Sequence, residues 1–85
     1  MTDLTKKKLL SQVRDACDAV ESAASDIERL AAARTLRQLS DQLERAMVDE
    51  ARASGVRWID IGELYGTSKQ SVQQRFRIRH AATPD

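Results

Sequence analysis

The sequence is poor in proline, glycine, cysteine and aromatic residues, and each shortage closes off a class of protein. Of 85 residues, one is proline (Pro84) and three are glycine: Gly55, Gly62 and Gly66. An all-β fold needs frequent turns and β-branched runs, and the chain has neither. Cys17 is the only cysteine, which excludes a disulfide scaffold. With His80 as the only histidine, a structural Cys/His zinc site is excluded as well. No apolar run approaches the ~20 residues of a membrane span. The basic start, Lys6-Lys7-Lys8, is not followed by the apolar stretch of a signal peptide. A cytoplasmic protein that does not enter a membrane is expected. A strong excess of one charge is missing too, since 14 basic residues face 13 acidic ones.

What the chain does have is helical periodicity. Leu10, Val13, Cys17, Val20 and Ala24 recur in alternating steps of three and four, one face of a helix from about Leu4 to Ala24. Leu9 and Ala16 widen that stripe, and Cys17 reads as a small core or interface residue rather than a reactive thiol. A break follows near residues 22–26, where Ser25 and Glu28 have the spacing of a capping box. The residues leave open whether 20–30 is a turn or continuous helix. A long helix over Ile27–Ser54 carries Ile27, Leu30, Ala33, Leu36, Leu39, Leu43 and Met47, and Gly55 supplies its stop. Two such helices suit a hairpin or one arm of a dimeric bundle. Leu10, Val13, Cys17, Val20, Leu30 and Leu36 are the candidate dimerisation residues. A chain this short buries a modest core, so a second subunit would help it fold.

The C-terminal part differs. Trp58, Ile59, Ile61, Leu64 and Tyr65 crowd about two helical turns, and Gly66-Thr67-Ser68 then separates them from a segment running to about Arg79. Gly62 is small where two helices would cross closely, and Gly66 suits a turn with positive φ. Ile61, Leu64, Tyr65, Val72 and Phe76 can form the core between the two segments, with Trp58 joining a core rather than serving as a stacking platform. Ser68 is a good N-cap for the second.

The polar residues of that last segment point toward nucleic acid. Lys69, Gln70, Gln73, Gln74 and Arg77 recur at helical spacing, and no acidic residue occurs between Leu64 and Pro84. Gln can pair bidentately with adenine, and Arg or Lys with guanine, in the major groove. A carboxylate there would repel phosphate. Residues 67–80 carry four positive charges and no negative one, while residues 1–54 balance nine basic against ten acidic groups. Such asymmetry suits one end on DNA and the other on protein. Arg57, Thr67, Ser68, Ser71, Arg75, Arg77 and Arg79 are candidates for contacts to the DNA backbone. For Arg75, pairing with Glu63 or Asp60 is the competing role.

Residues 58–77, Trp-Ile-Asp-Ile-Gly-Glu-Leu-Tyr-Gly-Thr-Ser-Lys-Gln-Ser-Val-Gln-Gln-Arg-Phe-Arg, resemble a helix-turn-helix DNA-binding motif. The stretch Gly66-Thr67-Ser68-Lys69-Gln70-Ser71-Val72-Gln73-Gln74 is similar to the turn and recognition helix of lambdoid phage repressors. The wider segment looks like short actinobacterial helix-turn-helix regulators, with their Trp-x-x-Ile-Gly segment, Gly-x-Ser turn and Arg-Phe pair. The resemblance covers residues 45–79 and implies that Lys69, Gln70 and Gln74 occupy base-reading positions. Tyr65 stands where Leu is usual, Thr67 where an apolar residue is usual, and Arg75 at a place that is apolar in phage repressors.

The expected protein is all-α, with an N-terminal helical hairpin or coiled-coil arm (residues 1–38), a three-helix helix-turn-helix unit (39–80) and a short tail (81–85). Its expected function is sequence-specific DNA binding as a homodimeric, nucleoid-associated transcriptional regulator, repressor before activator. Two other classes compete: an architectural or partition-type DNA-binding protein, and an adaptor gripping a larger transcription partner through its N-terminal helices. An enzyme is hard to build from this chain, which has no P-loop, no Gly-rich phosphate cradle and no His-containing metal motif, and whose one His lies near the tail. No cofactor is expected.

Overall fold

The computed structural model describes residues 3–77. They form four α-helices: α1 (Asp3–Ser22), α2 (Asp26–Ala53), α3 (Trp58–Tyr65) and α4 (Lys69–Arg77). No strand occurs among the described residues, so the fold is all-α. The chain divides into two compact units, Met1–Met47 and Val48–Asp85, and the division falls within α2.

In the first unit, residues 23–25 break the helix, which settles the question left open over 20–30. The capping chemistry is responsible. The Glu28 backbone N–H donates to Ser25 Oγ at 3.2 Å, and the Glu28 carboxylate accepts from the Ala24 N–H at 2.9 Å. Arg29 adds an ion pair to Asp26 at 2.7 Å. Two donors that would be orphaned at the start of α2 are thereby satisfied. A link of three residues, 23–25, joins the two helices of this unit. Its covered apolar positions include Leu9, Val13, Ala16 and Val20 on α1, and Ala32, Leu36, Leu39, Leu43 and Ala46 on α2, of which Leu9, Ala16 and Ala46 are buried and the rest half-buried.

That α1 face is rotated from the expected stripe. Ala16 is buried, whereas Cys17 and Ala24 are exposed. Successive residues of a helix are turned by about 100° from each other, so Ala16 can be covered while its neighbour Cys17 is not. Ile27 and Leu30, counted with the apolar marks of the second helix, are 72% and 65% exposed. They fall on the side of α2 away from Leu36 and Leu43.

In the second unit, Val48, Ile61, Val72 and Phe76 form the core, with Trp58 and Tyr65 packed against it. Burying each such side chain contributes about 1.5–3 kcal/mol. Leu64, expected in this core, is 82% exposed. Trp58, Ile61, Gly62 and Tyr65 already define the inward face of α3, and Leu64 lies more than a quarter-turn outside it. Val48, at the end of α2, supplies the missing apolar surface.

Candidate nucleic-acid interface

The placement of α4 begins with three local features. Gly66 closes α3 in the left-handed region, at φ 68° and ψ 31°. Its N–H donates to the Glu63 carbonyl at 3.2 Å, and the Thr67 N–H donates to the Gly62 carbonyl at 3.0 Å. This is a Schellman ending, which favours glycine at the left-handed position. Ser68 then caps α4, its Oγ accepting the Ser71 N–H at 3.1 Å. Gly62 is buried, and a Cβ there would lie 2.9 Å from the Thr67 carbonyl oxygen. The turn therefore packs directly on the backbone of α3. Ser68→Ala is expected to destabilise the protein by about 0.5–2 kcal/mol, the usual range for a lost N-cap. Thermal unfolding would measure it, and an unchanged midpoint would exclude the capping role.

On α4, Val72 and Phe76 point into the core and are 1% and 3% exposed. The Phe76 ring meets Tyr65 edge-on, with centroids 5.5 Å apart and planes at 69°. Gln70 and Gln74, one turn apart, occupy the opposite side and are exposed. Gln73 is half-buried on the flank, and Lys69, Thr67, Ser68 and Ser71 are exposed. The Ser71 hydroxyl is engaged with Ser68 Oγ at 3.0 Å. Arg75 lies with its guanidinium 4.8 Å from the Phe76 ring centroid and 5.4 Å from that of Tyr65. Arg77 ends α4, and Arg79, His80 and the tail lie outside the described residues.

Of the two carboxylates considered as partners of Arg75, Asp60 is engaged elsewhere. Asp60 is held by Arg57, the residue that precedes α3. Nε and Nη2 of Arg57 donate to the carboxylate at 3.2 and 3.3 Å, and the Arg57 backbone N–H does so at 3.4 Å. The side-chain hydrogen bond from Arg57 is the main reason the Asp60 carboxyl is held below its ordinary range, with desolvation opposing it. Arg57 is raised in return, first by the same hydrogen bond. The folded-state pKa of Asp60 is depressed, so the pair is intact at neutral pH and is lost as pH falls through that lowered range. Arg57, a candidate backbone contact, is thus half-neutralised although exposed.

Sequence reasoning missed Arg52. It stands near the end of α2, its guanidinium 4.9 Å from the Trp58 ring centroid, and Nη1 donates to the Val56 carbonyl at 3.2 Å. The available signal was its place as the last basic residue before the Gly55 turn. The dimerisation candidates divide by burial. Leu10, Val13, Val20 and Leu36 are half-buried within the first unit, while Cys17 and Leu30 are exposed. Among the described residues, no cluster of His, Cys, Asp or Glu could hold a metal ion. No helix among them is long and apolar enough to cross a membrane.

No protein-family model and no solved structure matches the chain. Uncharacterized proteins of Mycobacterium tuberculosis and Mycobacterium bovis are 38% identical to it over 71 residues. The matched region is 78% of this chain but 28% of each relative, so the chain spans little more than a quarter of the length of the curated relatives it matches.

Proposed function

We propose that the protein is a sequence-specific DNA-binding regulator, acting as a homodimer with α4 in the major groove. One observation carries this reading. Gln70 and Gln74 project from α4 opposite its buried face, and neither side chain hydrogen-bonds another described residue. No carboxylate lies on α4 to repel phosphate. The glycine and serine positions around the turn hold that helix in place, which suits direct base readout. Pairing two copies would double the contacts and set half-sites about one helical turn apart, ~34 Å. Occlusion of a promoter then follows more simply than activation, since no activation surface is identifiable.

Gln70→Ala or Gln74→Ala is expected to cost about 1–3 kcal/mol on the specific site and little on unrelated DNA. Pull-down of genomic fragments with the purified protein, followed by sequencing, tests the reading and supplies that site. A few sharp peaks sharing an inverted repeat are expected. Broad coverage would favour an architectural, partition-type protein. An empty result from a folded sample would favour the adaptor, a reading supported by the exposed Ile27 and Leu30 on α2.

A further inference from the structure

We propose that the hollow lined by Arg52, Arg57, Trp58, Ile59 and Lys69 seats one backbone phosphate of bound DNA, with Arg52 and Lys69 as its cationic ligands. The proposal rests on the DNA-binding reading and deepens it, because it moves Lys69 from base reading to phosphate binding and adds Arg52 to the interface. The hollow has a volume of about 400 Å³ and lies where the end of α2 and the starts of α3 and α4 meet. Its lining residues are exposed or half-buried, so it is open to a large polymer.

Three cations share this hollow, and their states differ. Arg57 is paired with Asp60. Arg52 is held in place by the Trp58 ring and the Val56 carbonyl. The one hydrogen bond to Val56 leaves most of the five guanidinium donors for an oxyanion. A cation already ordered on a ring loses little freedom on binding. Lys69 is exposed and makes no side-chain hydrogen bond to another described residue. Two uncompensated cations beside an open hollow suit a phosphodiester anion. A nucleobase fits less well, because Arg52 already covers a face of the Trp58 ring.

Helical phase separates Lys69 from the glutamines. Lys69, Val72 and Phe76 are spaced i, i+3 and i+7, which puts Lys69 on the side of α4 that packs toward α3. Gln70 and Gln74 project from the other side. Lys69 therefore lines a hollow with Trp58 and Ile59, and a base edge read by Gln74 would be met from a different direction.

The test compares Lys69→Gln, Arg52→Gln and Gln74→Ala with the wild type in the full chain. Each is titrated against the duplex recovered from genomic pull-down and against a random-sequence duplex, from about 50 to 300 mM salt, with circular dichroism confirming the fold. Lys69→Gln and Arg52→Gln are expected to weaken both duplexes by the same factor and to reduce the slope of log affinity against log salt by about one. Gln74→Ala is expected to weaken only the recovered duplex. Selective loss on the recovered duplex for Lys69→Gln, with an unchanged slope, would overturn this proposal alone and return Lys69 to base reading. Wild-type protein that binds neither duplex would overturn the DNA-binding reading and the proposal with it. Inorganic phosphate is titrated separately with Trp58 emission, from the only tryptophan, as readout. Saturation at millimolar phosphate that blocks neither duplex would make a free anion the ligand and overturn the backbone assignment.

Discussion

Phe76→Ala is expected to destabilise the protein by about 3–5 kcal/mol, the range for truncating a buried aromatic ring. Phe76 is 3% exposed and belongs to a small core with Val48, Ile61 and Val72, so its truncation leaves a cavity in a close-packed cluster. Its edge-on contact with Tyr65 would vanish as well, and such ring pairs contribute about 0.5–1.5 kcal/mol beyond burial. Small domains have total stabilities of about 5–15 kcal/mol, so a loss of this size would take a large share of the margin. Trp58 packs against the same core and reports on it. Urea unfolding followed by Trp58 emission should show a markedly lower midpoint. A loss below about 1 kcal/mol would mean that Phe76 is not a core residue.

Gly62→Ala is the second large effect, and here the sign is the informative part. In an open helix interior, replacing glycine by alanine gains roughly 0.8–1 kcal/mol. At position 62 the added Cβ would sit 2.9 Å from the Thr67 carbonyl oxygen and 3.3 Å from the Lys69 nitrogen. Both are backbone atoms, which cannot rotate aside as a flexible side chain can. Relief requires moving the turn and the start of α4 away from α3. An overpacking cost of about 1–3 kcal/mol is therefore expected. Thermal unfolding measures it, and a midpoint equal to or above that of the wild type would show that the turn does not press on α3. Under the proposed function, the same displacement should weaken operator binding more than the stability loss alone accounts for, since Gln70 and Gln74 ride on α4.

The elements of this fold were legible because their ends are written in local chemistry. Ser25 with Glu28 starts α2, Gly55 stops it, Gly66 ends α3 and Ser68 begins α4, and each acts through hydrogen bonds within a few residues. Gly62 was legible as a site of close approach, and the structure shows that the backbone of residues 67–69 is what approaches it. Other assignments depended on helix phase and were less secure. Cys17 and Ala16 are adjacent in sequence, yet only Ala16 is buried. Arg57, read as a candidate phosphate contact, holds Asp60 three residues further on.

The residues alone determined an all-α chain, the turns at Gly55 and Gly66 and the acid-free, glutamine-bearing surface of its last helix, while the break at 23–25 was one of two readings they allowed. These follow from composition, caps and periodicity, which act over one or two turns of backbone. Tertiary packing decided which apolar side chains are covered. Leu64, Ile27 and Leu30 have the hydrophobicity of core residues and stay exposed, while Val48 completes a core with Ile61, Val72 and Phe76. It also brought Arg52, Trp58 and Lys69, from three separate helices, to one hollow. Hydrophobicity states how much a side chain gains from leaving water, but the angle at which helices meet determines which residues are able to leave it.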